Sequence, residues 1–356
     1  MMTTNKITKF QNAVLNWYDQ FGRKDLPWQQ MIEPYKIWLS EIMLQQTQVT
    51  TVIPYFDKFI EYFPTVNELA HANIDIVLSL WAGLGYYARA RNLHKTAKII
   101  MAEYDGKFPN TVDELIKLPG IGRSTAGAIV ATAFQQRAAI LDGNVKRVLT
   151  RYFAIEGWPG KPDIDNQLWE LAEQLTPRQR VRDYTQAMMD LGATVCTRSK
   201  PNCNQCPLQS KCLGFQTDNP TQFPNNKPKK AMPVKSAIML VIKNKNNAIL
   251  LRKRPPTGIW GGLWSLPEFE TIDAMHAWLT QTNIQIKQPE SIIAFRHTFS
   301  HYHLDIEVYQ VDNVIFNMIA DDDAVWVEPE QLDNYGKSAA VEKILNIVGA
   351  RTRLAR

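Results

Sequence analysis

The sequence contains no run of apolar residues long enough to cross a bilayer, and its first ten residues do not follow the pattern of a signal peptide. The default expectation is therefore a cytoplasmic protein. We also find no internal repeat. With 356 residues, the chain is too long for one ordinary hydrophobic core, so its length predicts two domains.

Cysteine is scarce, and the four cysteines all lie within one short segment: Cys196, Cys203, Cys206 and Cys212. Disulfides are rare in the cytosol, so this cluster predicts a bound metal rather than a disulfide scaffold. Four thiolates in one loop can hold zinc or a 4Fe–4S cluster, and the residues alone do not decide between them. The two separated Cys-x-x-Cys knuckles of common zinc ribbons are absent.

Neither sign of charge is in large excess, since the net charge is only +5 at pH 7. Its distribution is uneven, with +4 over residues 1–215, +3 over residues 216–235 and −2 over residues 236–356. A polyanion would accordingly bind along the first part of the chain and the basic segment after it. An ordinary solvated surface explains these values equally well, so charge permits a nucleic-acid partner without establishing one.

Apolar residues recur at intervals of three and four from Thr8 to about Leu213, which predicts a helical domain over residues 1–216. Residues 217–233 are rich in proline and lysine and predict a stiff, basic linker. Beyond the linker, apolar runs predict strands at 237–242, 248–251, 304–311 and 324–327, with a helix at 272–282. The pattern thus predicts a multi-domain protein, with an all-α domain followed by an α+β domain over residues 234–350.

A glycine-containing turn, LPGIGRST at residues 118–125, lies between two helical patterns. Gly120 and Gly122 leave backbone N–H groups uncovered at the start of the second helix, an arrangement that suits an anion. The third glycine of a dinucleotide loop and the Gly-Lys-Ser/Thr of a P-loop are both absent. A plain turn between two helices remains the alternative interpretation.

Two carboxylates have sequence surroundings that suit catalysis. If residues 38–48 form one helix, Glu41, Gln45 and Gln48 share a face amid apolar neighbours, and burial there would raise the pKa of Glu41 as a general acid requires. A glutamate on a helix surface is the alternative. Asp142, in the segment ILDGNVKR, can equally be a simple helix N-cap. The residues alone do not show that these carboxylates meet.

Together these segments resemble the helix-hairpin-helix DNA glycosylases of the endonuclease III superfamily and, within it, the MutY family of adenine DNA glycosylases. The cysteine spacing C-x6-C-x2-C-x5-C matches the cluster motif of those families at every interval, and WLSEIMLQQTQV, residues 38–49, is similar to the MutY active-site helix. The resemblance implies a helix-hairpin-helix fold with a 4Fe–4S loop over residues 196–212. Arg198 and Lys200 in that loop would then meet phosphate.

The resemblance also implies the reaction, which is hydrolysis of the N-glycosidic bond of an adenine that has left the duplex. Glu41 would protonate adenine at N7 and later help to activate water. Asp142 would stabilise the oxocarbenium-like sugar, directly or through a transient covalent bond, and Asn144 would orient the pair. Gln46 and Tyr86 match the side chains that enter the base stack in the family. Leu26 and Trp28 match the wall of the adenine pocket. Core packing is the alternative for each aromatic.

Superfamily members that also nick the strand carry a lysine in the hairpin, where this chain has Ser124. Without a Schiff-base amine, a monofunctional glycosylase is predicted. Lys146 could act as an adventitious nucleophile and give weak lyase activity. The DNA-binding residues implied by the resemblance are Gly120, Gly122, Ser124 and Lys146, together with the two that enter the stack.

Residues 234–350 resemble the MutT-like (Nudix-like) domain at the C-terminus of MutY proteins, through RPP at 254–256, GIWGGLW at 258–264 and FRHTFSH at 295–301. The acidic magnesium box of a Nudix hydrolase is missing, because only Glu268 and Glu270 follow Gly262 before a helix without that box. The resemblance therefore implies recognition of 8-oxoguanine, by the loop Phe299, Ser300 and His301. A metal site at His297, His301 and His303 is a rival hypothesis, in which the last two histidines share one face of a strand.

The hypothesis is a monomeric, nucleoid-associated bacterial enzyme of base excision repair. It would excise adenine opposite 8-oxoguanine or guanine in double-stranded DNA. The alternatives are a bifunctional pyrimidine-lesion glycosylase/lyase of the endonuclease III type, a non-catalytic cluster-containing DNA-binding protein, and a nucleotide pyrophosphohydrolase.

Overall fold

The structure is a computed structural model that describes residues 2–30, 32–227, 231–282, 289–314 and 323–354. It divides into two compact units, one of residues 1–71 and 95–229 and the other of residues 72–94 and 230–356. Part of the predicted linker, Pro228 to Lys230, lies outside the described residues. The sequence pattern places residues 72–94 in the helical domain, whereas they belong to the second unit here. The predicted domain limits therefore stay predictions.

The chain is helical up to residue 216, as its apolar spacing predicts. The helices are α1 (Thr4–Phe21), α2 (Pro27–Gln30), α3 (Pro34–Leu44), α4 (Val49–Tyr62), α5 (Val66–His71), α6 (Ile74–Leu80), α7 (Ala88–Glu103), α8 (Val112–Leu115), α9 (Arg123–Ala133), α10 (Gly143–Tyr152), α11 (Pro162–Leu175), α12 (Val181–Asp190) and α13 (Leu213–Gln216). A π-helical turn at Leu191–Val195 follows α12, and short 3-10 turns at Cys203–Gln205 and Gln209–Lys211 shape the cysteine segment. In the described residues, no helix is long and apolar enough to span a membrane.

Helix α3 lies at the centre of the first unit. Trp38, Leu39 and Met43 have no exposed surface, and buried residues cover almost all sides of the helix. A helix that is apolar all round is an interior helix. The expectation that it continues to residue 48 is wrong, because Gln45 leaves helical geometry with ψ 112° and Gln46 takes a left-handed φ of 63°. The chain turns there to enter α4.

The predicted hairpin is present. Helix α8 is capped by Thr111, the turn reverses at Gly120 with φ 80°, and α9 starts after Gly122. The segment before α10 packs very closely on α9: a Cβ on Gly127 would lie 2.2 Å from the carbonyl oxygen of Ala139. Only glycine allows that approach, and it holds the strand-like segment that ends at Asp142 against the hairpin helix.

The second unit is built on a mixed sheet, which confirms the predicted α+β class. Its strands are β1 (Val234–Asn244), β2 (Ile249–Lys253), β3 (Trp264–Ser265), β4 (Glu268–Phe269), β5 (Glu290–Thr298), β6 (His303–Val314) and β7 (Ala324–Val327). The order is β3-β2-β1-β6-β5, with β4 paired to β1 and β7 paired to β2. Strands β1 and β6 run parallel from the pair Val234–His303 onward, and β5 pairs antiparallel with β6.

Strand β1 is buried on both faces, which explains its continuous apolar sequence. Met239 and Val241 pack in one cluster with residues of helix α15 (Ala339–Leu354). Leu240 and Ile242 face the other way and pack with Met275 of helix α14 (Ile272–Gln281). Helices on both faces of a sheet make a three-layer arrangement.

The loop between β5 and β6 corrects one expectation. Strand β6 begins at His303, so His301 lies in the loop and the two side chains do not share a strand face. Tyr302, between them, is buried, and its ring stacks on that of Phe299 with centroids 4.7 Å apart. Residues 299–302 therefore form the loop between β5 and β6.

Candidate active site

The first unit contains a cavity of about 690 Å³ onto which both predicted catalytic carboxylates face. Glu41 reaches it from α3, and Asp142 from the start of α10. Other predicted site residues also line it: Leu26, Trp28, Ser124 and Asn144. Gln45 and Gln48 line it too, although they lie beyond the end of α3. Residues about 100 positions apart in sequence thus surround one space.

Glu41 lies in surroundings that keep its carboxyl group neutral. Its helix is central and apolar, and the side chain is only partly accessible to solvent. Burial raises the pKa of Glu41 to about 8, and the negative charge of Asp142 contributes in the same direction. A carboxyl group with that pKa holds its proton at neutral pH and can donate it to a substrate.

Asp142 is held by hydrogen bonds on both carboxylate oxygens. Its Oδ1 accepts from the backbone N–H of Val145 at 2.8 Å, which confirms the predicted N-cap of α10. Its Oδ2 accepts from Nδ2 of Asn144 at 3.0 Å. Burial raises the pKa of Asp142, whereas these hydrogen bonds and the charge of Arg147 act to lower it. Asp142 can therefore cap α10 and face the cavity at the same time.

Arg147 was not singled out by the sequence analysis, yet it supports Asn144. Its Nη2 donates to Asn144 Oδ1 at 2.7 Å and to the carbonyl of Gly192 at 2.6 Å, and its Nε donates to the carbonyl of Cys196 at 2.7 Å. The available signal was its place on α10, three residues after Asn144 and so on the same face. Through Asn144, it connects Asp142 to the cysteine segment.

Arg151, one turn further along α10, is buried and binds the cysteine segment directly. It donates to the carbonyls of Thr197 at 2.7 Å and Arg198 at 2.8 Å, and to Cys196 Sγ at 3.4 Å. Its Nε donates to the carbonyl of Phe223 at 2.9 Å. Arg151 therefore holds the start of the cysteine segment against α10.

The four cysteines surround one small space. None of them is in a disulfide, and all line a cavity of about 20 Å³ together with Arg151. Burial raises the pKa of Cys206 to about 12, and the other three sulfurs contribute to this shift because they lie near it. Within the described ranges, no group of three or more His, Cys, Asp or Glu side chains is placed to hold a single metal ion.

The hairpin contacts both carboxylate-bearing segments. Gln45 Nε2 donates to the carbonyl of Gly120 and to Thr125 Oγ1, each at 3.3 Å, which ties the end of α3 to the turn. Ser124 Oγ accepts from the backbone N–H of Leu141 at 3.0 Å. A Cβ on Gly122 would meet no atom within 4 Å, so the backbone at the start of α9 is open to a ligand.

Some predicted DNA-binding residues lie away from the cavity. Lys146 does not line it and forms an ion pair with Asp165 at 2.5 Å. Gln46 is exposed and left-handed. Tyr86, in the second unit, is 54% exposed and also left-handed, with φ 49°. Strained backbone at exposed side chains is a feature of functional sites.

The loop with Phe299, Ser300 and His301 belongs to the second unit. Ser300 and His301 are exposed, and Ser300 Oγ lies 3.4 Å from Nδ1 of His301. Phe299 packs between Trp260, at 5.2 Å, and Tyr302. The exposed polar side chains of Ser300 and His301 are thus carried on a loop that is packed in place by the ring of Phe299.

Comparisons with known proteins agree with this architecture. The family profile described as HhH-GPD superfamily base excision DNA repair protein matches residues 39–174, and a NUDIX domain profile matches residues 238–346. Among solved structures, a thermostable thymine-DNA glycosylase is similar with TM-score 0.55 and 30% identity, over 60% of this chain and 99% of that one. An endonuclease III–DNA complex shares the fold, with TM-score 0.52 and 23% identity, over 61% and 99%.

Curated relatives match over nearly the whole chain. The adenine DNA glycosylase of Buchnera aphidicola subsp. Baizongia pistaciae is 42% identical over 337 residues, which cover 94% of this chain and 95% of that protein. The Homo sapiens adenine DNA glycosylase is 33% identical, over 96% of this chain and 74% of that protein. Both domain profiles match in the same order, and the relatives align over almost all of this chain, so the chain belongs to the adenine DNA glycosylase family, within the HhH-GPD superfamily.

Proposed function

We propose that this protein excises adenine from duplex DNA where adenine lies opposite 8-oxoguanine or guanine, as a monofunctional glycosylase of base excision repair. The observation that carries the proposal is that Glu41 and Asp142 line one cavity, with the pKa of Glu41 raised to about 8. The family relationship to named adenine DNA glycosylases supports the choice of base.

The reaction uses these two carboxyl groups in different protonation states. Glu41 donates its proton to N7 of adenine, and the bond from N9 to the sugar C1′ breaks with its electron pair going to the base. Asp142, whose oxygens are held by Val145 N–H and Asn144, stabilises the cationic sugar. A water oxygen then bonds to C1′, and its proton returns to Glu41. Adenine leaves as the neutral base that keeps the proton on N7, and this tautomer exchanges to the N9–H form in solvent.

Adenine must leave the duplex to reach this cavity. We assign Leu26 and Trp28, both buried and lining the cavity, to the wall that holds the extruded base. Gln46 and Tyr86 are assigned to the gap left in the stack, which their exposure and left-handed backbone support. The open N–H groups near Gly122 would bind a backbone phosphate without reading sequence.

Strand cleavage by a Schiff base is not part of the proposal. The hydroxyl of Ser124 stands where a lyase carries its lysine, and it is engaged with Leu141 N–H. Lys146, the other amine considered, is paired with Asp165 outside the cavity lining. A bifunctional pyrimidine glycosylase is the second candidate, because one similar structure is a thymine-DNA glycosylase.

A 4Fe–4S cluster fits the cysteine segment better than a single zinc ion does. The four cysteine side chains line a common space beside the Arg151 guanidinium, which suits a cluster of net negative charge. A tetrahedral zinc ion with Zn–S bonds of about 2.3 Å needs its sulfurs within about 4 Å of one another. No such single-ion group exists among the described residues. Bound there, the cluster would hold the loop so that Arg198 and Lys200 face DNA.

The second unit would recognise the base opposite adenine and so determine which mispairs are cleaved. Ser300 and His301 are exposed polar groups on a loop braced by Phe299, and we assign them to recognition of 8-oxoguanine. We further propose a monomer that acts at the nucleoid, with a glycosylase domain over residues 1–216, a linker over 217–233 and the recognition domain over 234–350.

Base release from a panel of duplexes tests the proposal. We expect the release of free adenine from A:8-oxoguanine and A:G duplexes. We expect no adenine from A:T duplexes and no thymine from duplexes with a T:G pair. Glu41→Gln, which keeps the shape of the side chain, is expected to bind the same duplexes without releasing base. Release of thymine, or full activity of Glu41→Gln, would reject the assignment, and equal release from A:T and A:8-oxoguanine would reject the role of the second unit.

A further inference from the structure

The loop that carries Tyr86 has an unusual backbone. Gly83, Gly85 and Tyr86 have φ values of 99°, 71° and 49°, so three of four successive residues are left-handed. Glycine adopts this region freely, but a tyrosine there costs on the order of 1–3 kcal/mol. Tyr86 is also 54% exposed, so burial of its ring does not offset that cost. Other contacts must hold the loop.

Arg89 makes those contacts. Its guanidinium Nη2 donates to the carbonyls of Leu84 and Gly85, each at 3.1 Å, and its backbone N–H donates to the carbonyl of Tyr86 at 2.9 Å. The residue is only 7% exposed, although it lies next to an exposed loop. Carbonyls that point inward at one buried cation cannot turn outward without leaving that cation unsolvated.

The same guanidinium lies between two aromatic rings. Its Cζ is 5.3 Å from the ring centroid of Trp81 and 5.7 Å from that of Tyr86. Trp81 Nε1 donates to the carbonyl of Gly85 at 3.2 Å, so the ring that packs against Arg89 also binds the loop. Burial lowers the pKa of Arg89 to about 10, which leaves the group charged at neutral pH. To lie between two rings and donate to two carbonyls at once, the side chain must be a planar cation with several N–H groups, and lysine lacks that shape.

We propose that Arg89 is a positioning residue for base extrusion: it holds the loop of residues 83–86 so that Tyr86 is already presented to the duplex before DNA binds. This inference rests on the proposed function, in which Tyr86 enters the stack. The free energy of ordering the loop is then spent on folding rather than on binding, which is the advantage of a preorganised group. Without Arg89 the loop would remain attached to the fold but would present Tyr86 only part of the time.

Single-turnover excision from A:8-oxoguanine and A:G duplexes tests the idea, with Arg89→Lys and Arg89→Gln as the main variants. A tenfold slower step, on the order that misplacement of a positioned group produces, is expected, while duplex affinity changes by less than about threefold. Trp81→Phe keeps the ring and removes the bond to Gly85, so we expect a smaller loss in the same direction. Arg91→Gln is the matched control, because Arg91 is on the same helix and donates to Gly261 instead.

A second readout separates positioning from general damage. In the Glu41→Gln background, 2-aminopurine in place of the adenine fluoresces when it is unstacked, so fluorescence reports extrusion without chemistry. Arg89→Lys should lower that signal several-fold at a temperature at which a thermal melt shows the variant to be fully folded. If Arg89 acts through Tyr86, the double variant Tyr86→Ala, Arg89→Gln should be no slower than Tyr86→Ala alone.

The outcomes distinguish this inference from the proposed function. Adenine release that is slow in Tyr86→Ala but normal in both Arg89 variants overturns the inference and leaves the function intact. Losses that add in the double variant also overturn it, since Arg89 would then act elsewhere. Absence of adenine release by the unmodified protein contradicts the proposed function itself.

Discussion

The hydroxyl of Ser124 accepts a hydrogen bond from the backbone N–H of Leu141 at 3.0 Å, and Leu141 is the residue immediately before Asp142. Leu141 is buried, so no water is available to replace this partner. Ser124, in the hairpin, thus has a structural task in this chain. It helps to fix the start of the segment that bears Asp142, the proposed catalytic aspartate.

Ser124→Ala is therefore expected to slow excision by about three- to tenfold, because a buried N–H loses its acceptor and Asp142 gains freedom. Single-turnover rates on A:8-oxoguanine duplex measure this. Ser124→Thr retains the hydroxyl and serves as the control, with a rate close to that of the parent. If alanine and threonine behave alike, the hydrogen bond does not position Asp142.

The raised pKa of Glu41 predicts how excision depends on pH. The acid must be protonated to donate, so the rate should be level through neutral pH and fall as pH rises through about 8. Single-turnover rates between pH 6 and 10, with DNA binding measured at each pH, test this. A rate that instead falls below neutral pH would mean that Glu41 acts as an ionised base in the slow step.

The same shift predicts a cost in stability. The folded-state pKa of Glu41 is above its unfolded value of 4.5, so the folded protein binds more protons between pH 4.5 and about 8. Stability is therefore lost as pH rises through that window. Glu41→Gln removes the ionisable group, so it should stabilise the protein by about 2–4 kcal/mol at pH 8.5 and little at pH 4.5.

Thermal unfolding of the parent and of Glu41→Gln at both pH values measures the difference. Glu61→Gln, at an exposed position on α4, is the control and should show no comparable dependence on pH. A Glu41→Gln variant that is less stable at every pH would show that the carboxylate forms a favourable interaction instead.

The cysteine segment predicts a specific metal content. Protein purified without air should carry four irons and four sulfides per chain and be brown, and Cys206→Ser should lose the colour. Removal of the metal should weaken duplex binding, because Arg198 and Lys200 lose their fixed loop, and should leave the fold of the second unit unchanged. A colourless protein with one zinc per chain would contradict the assignment.

The close packing at Gly127 predicts that a substitution there lowers stability without touching the proposed catalytic residues. Gly127→Ala puts a methyl group 2.2 Å from the Ala139 carbonyl oxygen, so we expect about 1–3 kcal/mol of destabilisation. Gly143→Ala is the matched control, since a Cβ there meets nothing within 4 Å and alanine favours a helix by roughly 0.5–1 kcal/mol. Chemical unfolding of both variants gives the comparison, and a neutral Gly127→Ala would mean that the contact relaxes easily.

Local features were predictable because they depend on neighbours in sequence. The glycine turn at 118–125, the N-cap at Asp142 and the strands of the second unit all follow from residues within a few positions of one another. Where a tertiary contact overrides local pattern, prediction failed. Helix α3 stops at Leu44 rather than continuing to residue 48, where Gln45 binds the hairpin turn, and His301 lies in the loop before β6 rather than in the strand.

Composition, residue spacing and turn chemistry were enough to predict the helical and α+β halves, the cysteine motif and the candidate carboxylates, since each depends on residues that are near one another in the chain. The tertiary structure alone decided that Glu41 and Asp142 share one cavity, that Arg147 supports Asn144, and that Arg89 holds the loop of Tyr86. Those relationships depend on distances through space, and the raised pKa of Glu41 depends on burial that only the packed helices create.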